Sequence, residues 1–191
     1  MNARAGFVWA TKQHFNRYIE ECGVGCDLIT PHMLAAPFFR PVINCLIIPT
    51  GFANPAYSNI LPALRASSAR LCQYIENGGH VLVFGAAMDK PDAYDWLPFS
   101  VVYHHDFHPR AVICQGTSDT TGIIDDFDAS GIECDGSFPS HDADCIASSE
   151  DTAVLLEKHI GKGKIVITSI HEFPSRRFLQ TFCEAGLPVQ F

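Results

Sequence analysis

Cys45-Leu46-Ile47-Ile48 is an unbroken apolar run, and it constrains the fold more than any other feature of this chain. A strand with one wet face alternates apolar and polar residues. A continuous run belongs to a strand covered on both faces, as in a parallel sheet with helices above and below it. The next residues supply a helix: Ile60, Leu64, Ser68, Leu71, Cys72 and Ile75 form one stripe at helical spacing, with Ser58 placed to cap its start. Asn77-Gly78-Gly79 ends that helix, because glycine accepts the left-handed conformation found just past a helix terminus. His80 to Phe84 is a second buried run and leads into Gly85-Ala86-Ala87. Earlier in the chain, Ala5 to Ala10 reads as a short strand. A helix through Glu21 follows, carrying Phe15, Tyr18, Ile19 and Cys22 at helical spacing. Gly23 and Gly25 stop it, and Cys26 to Thr30 offers another strand. Successive strand–helix–strand passages predict an open, mostly parallel α/β sheet with helices on both sides. At 191 residues, with no repeat or linker, the chain reads as one domain over 1–191.

The second half changes character. Ser100 to Tyr103 and Arg110 to Cys114 read as strands, and from Ala111 to Glu157 there is no lysine or arginine. Gly, Ser, Asp and Thr dominate the middle of this stretch, which predicts an elaborated loop region with short strands. Val154 to Ile160 and Lys164 to Ile170 flank Gly161-Lys162-Gly163, a β-hairpin signal. Beyond His171-Glu172-Phe173-Pro174, Ser175 is placed to cap a last helix through Glu184, closed by Gly186. Arg176 and Arg177 fall in its first turn, where cations oppose the helix dipole, so an acidic partner is expected beside them.

A formal net charge of −8 argues against a nucleic-acid backbone or an anionic membrane surface as partner. No apolar run reaches the roughly 18 to 20 residues of a membrane span. Met1 to Trp9 has no signal-peptide core, and a cytoplasmic location is expected. The eight cysteines are then expected as free thiols. Neither Cys22 with Cys26 nor Cys134 with His141 and Cys145 has the paired spacing of a zinc site.

Three segments, in order, resemble the class I glutamine amidotransferase-like superfamily. Leu46-Ile47-Ile48-Pro49-Thr50-Gly51 is similar to its strand and glycine turn. Gly78-Gly79-His80-Val81-Leu82-Val83-Phe84-Gly85 is similar to the strand entering its nucleophile elbow. Gly161 to Glu172 is similar to the hairpin and strand that deliver its catalytic histidine. The resemblance implies a three-layer αβα, flavodoxin-like open sheet with an elaborated second half. It places Thr50-Gly51 at the oxyanion turn and His171 at the triad histidine, with Glu172 the nearest acid; the family's usual acid position holds Phe173. At the elbow the matching residue is Ala86 or Ala87, and alanine has no group to attack a carbonyl. This departure resembles nucleophile-lacking branches such as the trehalose-utilisation-like proteins.

The expected function is therefore an amidotransferase-like domain without its cysteine, binding a small polar molecule or a partner protein, with no cofactor. The expected site comprises His171 and Glu172 with Thr50, Gly51, Phe52, Asn54, Tyr57, Gly85, Ala86 and Ala87. A hydrolase with His171 as base is the alternative, metal-assisted if His104, Asp106 and His108 share one side of an extended segment. A third reading is an assembly subunit, and a homo-oligomer is compatible with any of them. The run Asp135 to Asp144 reads as a solvated turn.

Overall fold

The computed structural model describes residues 3–191, so Met1 and Asn2, the first residues of the Met1–Trp9 stretch, lie outside the described residues. In chain order the elements are β1 (Arg4–Val8), α1 (His14–Glu21), β2 (Gly25–Ile29), α2 (Pro31–Ala35), β3 (Val42–Ile43), β4 (Cys45–Ile48), α3 (Ile60–Glu76) and β5 (His80–Val83). There follow β6 (Val101–Arg110), β7 (Ile113–Cys114), a 3-10 helix (Asp119–Ile124), β8 (Ile132–His141), β9 (Asp144–Ser149), β10 (Thr152–Ile160), β11 (Gly163–Thr168), α4 (Arg176–Ala185) and β12 (Val189–Gln190).

The main sheet runs β2-β1-β4-β5-β11-β10-β8-β6. Its first five strands are mutually parallel, and β10, β8 and β6 continue it antiparallel. A small antiparallel sheet pairs β12 with β3. The apolar runs are continuous because each strand feeds two cores. Leu46, Ile48, Val81, Val83, Ile165 and Ile167 pack toward α3, while Cys45, Ile47, Leu82 and Val166 pack toward α1 and α4. Each such side chain contributes about 1.5–3 kcal/mol by leaving water. The α/β class and the mostly parallel sheet agree with the sequence expectation, as does the β10–β11 hairpin.

The differences are concentrated at polar segments. Ser58 does not cap α3: the N-cap is Asn59, without a side-chain bond, and the Ser58 hydroxyl donates instead to the carbonyls of Gly51 and Phe52. Ser175 does cap α4, accepting from the Phe178 amide at 3.1 Å. Ser100–Tyr103 and Arg110–Cys114 are not two equal strands; β6 runs the full length between them and includes the histidine cluster. The acidic stretch is mostly sheet, with β8, β9 and β10 antiparallel. The β9–β10 turn places Glu150 and Asp151 at φ 50° and 62°, both left-handed as a tight two-residue hairpin requires. Arg176 has acidic neighbours of this chain, pairing with Glu21 at 3.5 Å while its amide donates to Asp126. All eight cysteines are free, and among the described residues no helix is long and apolar enough to cross a membrane.

Candidate functional site

Parallel strands ending at one sheet edge leave their following turns side by side, and that is where open α/β sheets place ligands. Here the turns after β4 and β5 are tied together: the Gly51 amide donates to the Gly85 carbonyl at 2.9 Å, and the Asn54 side-chain amide donates to the Ala87 carbonyl at 3.2 Å. Gly51 adopts φ +85°, open to glycine. Ala87 adopts φ +54° and lines a cavity, whereas Ala86 is fully buried. A left-handed alanine costs about 1–2 kcal/mol, offset on replacement by glycine's greater unfolded-state freedom. Ala87→Gly should therefore stabilise the fold by up to about 1 kcal/mol, whereas Ala87→Val should cost about 2 kcal/mol. Urea unfolding of both variants checks this; a fully tolerated valine would show that the turn is not held in this conformation.

His171 follows β11, where its amide donates to the Glu133 carbonyl and Ile170 bridges Cys134 of β8. This brings Asp135 under the imidazole. Nδ1 of His171 lies 2.9 Å from Asp135 Oδ1, and the Thr50 hydroxyl donates to Asp135 Oδ2 at 3.1 Å. The Asp135 side chain is 4% exposed and that of His171 is 47% exposed. Because Oδ1 is the acceptor, Nδ1 is assigned the proton, and Nε2 is the nitrogen left for a ligand. The hydrogen bond to Asp135 raises the imidazole pKa above its ordinary value; burial opposes it, and the charges of Asp135, Glu133 and Glu172 add to the rise. Gly85 makes room for this acid, since a Cβ there would lie 2.9 Å from Asp135 Cβ and 3.0 Å from its Oδ2.

Asp135 also anchors a second imidazole through its main chain. Nδ1 of His105 lies 2.7 Å from the Asp135 carbonyl, which can only accept, and the Tyr103 hydroxyl donates to the same oxygen at 2.8 Å. His105 and His171 both line a cavity of about 680 Å³ together with Trp9, Thr50, Gly51, Tyr57, Phe107 and Ala87. A narrower groove of about 280 Å³ shares Trp9, Thr50 and His171 with it and is walled by Phe7, Phe15, Phe84 and Phe173.

Several expected residues play other parts. Glu172 does not hold the imidazole; its Oε1 accepts from the Glu133 amide at 2.8 Å, leaving the acid's place to Asp135. Phe52 is fully buried against Tyr94 and Trp96 rather than facing the cavity. Asp135 is not in a solvated turn but on β8, with its amide bonded to the Ser169 carbonyl at 2.6 Å. His104, Asp106 and His108 are not brought together as a ligand set. Register shifts interrupt β6 between Val102 and His104 and between His105 and His108, so strict alternation fails. His104 pairs with Asp89 and His108 with Asp106, and the described residues contain no group of three or more potential metal ligands.

No protein-family model and no curated protein matches the sequence. Solved structures do match. A candidate GMP synthase component from Thermoplasma acidophilum is 15% identical with a TM-score of 0.65, over 97% of this chain and 96% of the other. The cytoplasmic protein STM1381 from Salmonella typhimurium LT2 is 14% identical with a TM-score of 0.56, over 95% and 96%. The β-galactosidase from Bacillus circulans sp. alkalophilus is 12% identical with a TM-score of 0.59; this chain aligns over 97% of its own length but spans only 32% of that enzyme. At such identities the likeness is one of fold alone, and it agrees with an α/β fold built on a mixed, mostly parallel sheet.

Proposed function

We propose that the chain is an amidotransferase-like domain of the nucleophile-lacking kind, which binds a small polar ligand where Thr50-Gly51, the Ala87 elbow and His171 meet. The observation that carries this reading is the hydrogen-bonded series Thr50–Asp135–His171 at the wall of an open cavity. A buried carboxylate orients the imidazole, fixes its tautomer and stabilises its protonated form, so Nε2–H is a ready donor to an anionic or carbonyl oxygen. In the same cavity Ala87 supplies no nucleophile, so covalent glutamine hydrolysis has no starting group there.

The same Asp–His pair favours one second reading, a hydrolase in which Nε2 takes a proton from water. The two readings predict opposite responses to pH. A raised imidazole pKa keeps the protonated form populated above about pH 6.5. Binding of an oxyanion through Nε2–H should hold below the folded-state pKa and weaken as pH rises through it; general-base hydrolysis should strengthen over the same interval. The test is a fragment screen read by the NMR signals of His171 and Trp9 at about pH 6 and pH 9, run beside hydrolysis of an activated ester. Shifts at low pH without turnover support the binding module. Turnover that rises with pH and vanishes in His171→Gln would replace it with the hydrolase.

A further inference from the structure

We propose that the ligand is a monoanionic organic carboxylate carrying a flat apolar ring, its carboxylate on His171 Nε2 and its ring in the groove between Trp9 and Phe173. This rests on the reading of the cavity as a ligand site and names the chemistry it selects.

The two cavities have Trp9, Thr50 and His171 in common, so the imidazole borders both and a molecule bound to it has the aromatic groove within reach. On one side the walls are aromatic. Phe173 stacks on Phe15 with centroids 4.5 Å apart and an interplanar angle of 13°, and Phe15 in turn meets Phe7 and Phe84 edge-on. Phe173 nevertheless remains 40% exposed, an aromatic face held open toward the groove mouth. Phe107 meets the His171 ring edge-on at 5.4 Å and is 51% exposed, so it shields the imidazole from one side. A cavity of about 150 Å³ suffices for benzene, so the groove of about 280 Å³ accepts one ring and a short chain.

Charge decides between anions. Neither cavity is lined by lysine or arginine, and the imidazole stands before the carboxylate of Asp135. Glu133 and Glu172 add further negative potential at His171, while His105, His14 and Tyr57 are the other titratable groups on these walls. Asp135 already matches the charge of the imidazolium, so Nε2–H is offered as a single hydrogen-bond donor to one oxygen of a singly charged group, and a phosphate dianion finds no cation left over here. The aromatic groove gives a ring the burial that a purely polar ligand cannot use.

Phenylacetate is the probe, compared with its uncharged isostere phenylacetamide, with acetate and with phenyl phosphate, by titration calorimetry and by NMR of His171 and Trp9. Phenylacetate is expected to bind at least about tenfold more tightly than the amide and acetate at about pH 6, and than phenyl phosphate at about pH 7, where that ester is mostly the dianion; its advantage over the amide is lost as pH rises to about 9. His171→Gln should abolish the preference for the acid over the amide. Phe173→Ala should weaken phenylacetate while keeping that preference, with circular dichroism confirming that each variant is folded. Equal binding of acid and amide, an unchanged preference in His171→Gln, or tighter binding of phenyl phosphate would overturn the proposal. If uncharged fragments move the His171 and Trp9 signals while carboxylates do not, the ligand site stands and only this assignment falls. If no small molecule moves them, both fall.

Discussion

Asp135→Ala is expected to destabilise the fold by about 2–3 kcal/mol and to abolish pH-dependent ligand binding at His171. The carboxylate is buried and accepts from two side chains, His171 Nδ1 and Thr50 Oγ1, so its loss strips both of their partner. Removing one member of a fully buried pair costs about 3–5 kcal/mol. His171 is nearly half exposed and regains water, which moves the figure to the lower end. Asp135→Asn keeps the shape and should cost only about 1 kcal/mol, because an amide oxygen still accepts from Nδ1–H without the charge. Its effect on the imidazole should be nearly complete all the same, since the bond to Asp135 is the largest cause of the raised pKa. A group whose folded-state pKa is raised contributes stability that is fully present below its unfolded value, about 6.5, and is lost as pH rises through the folded value. The stability difference between wild type and Asp135→Asn should therefore be largest below about pH 6.5 and shrink at higher pH. Denaturant titrations across that range, with His171→Gln and the double variant closing a cycle, measure the coupling. A difference independent of pH, or additive single effects, would mean that Asp135 supports the strand and not the imidazole.

This acid is also the part of the site that the sequence hid. His171 is legible because it ends an apolar strand, and Thr50, Gly51 and Ala87 because each follows one. Their common edge follows from the parallel strand order alone. Asp135 lies 36 positions before the histidine it orients, on an antiparallel strand that meets β10 on one side, β6 on the other and the end of β11 through the short bridge at Ile170. Sequence proximity points instead to Glu172, whose Oε1 accepts from the Glu133 amide rather than from the imidazole. Nothing local distinguishes the two acids. What does is tertiary: Gly85 leaves the space that Asp135 fills. His105 is similarly concealed, because register shifts in β6 break the alternation by which its facing would be judged.

The fold divides along the same line. Strands buried by apolar side chains on both faces announce themselves, and β4, β5 and β11 do so. β8 is buried with Cys134, Asp135, Gly136 and Ser137 in succession, a composition that reads as a turn. Its polar groups are stable there because they are bonded, not because they are apolar: Asp135 holds His171 and Thr50, and its carbonyl holds Tyr103 and His105. The Glu150-Asp151 turn is invisible for a related reason, since neither residue is the glycine or asparagine that most often marks two left-handed positions.

Gly163→Ala should cost about 3–4 kcal/mol. The β10–β11 turn is pressed against the end of α3. The Lys162 amide donates to the Glu76 carbonyl at 3.0 Å, giving one of the helix's last carbonyls the partner it lacks within the helix. A Cβ on Gly163 would lie 2.2 Å from the Gly79 carbonyl oxygen and 2.4 Å from that of Ile75. Both are backbone atoms of the α3–β5 junction, so neither can rotate aside, and relief requires the hairpin to lift from the helix. Overpacking of a rigid site commonly costs about 1–3 kcal/mol, and here the lifted hairpin also forfeits the Lys162–Glu76 bond. Because β11 is the strand that carries His171 to the cavity, the same change should weaken ligand binding from a distance. Gly131→Ala is the matched control: no atom lies within 4 Å of the added Cβ and its φ is not positive, so it should be neutral or stabilise by up to about 1 kcal/mol. Thermal and urea unfolding of the two variants separate crowding from chain entropy. Equal stability in both would mean that the hairpin is not seated on α3, and that His171 is placed by β5 and β8 alone.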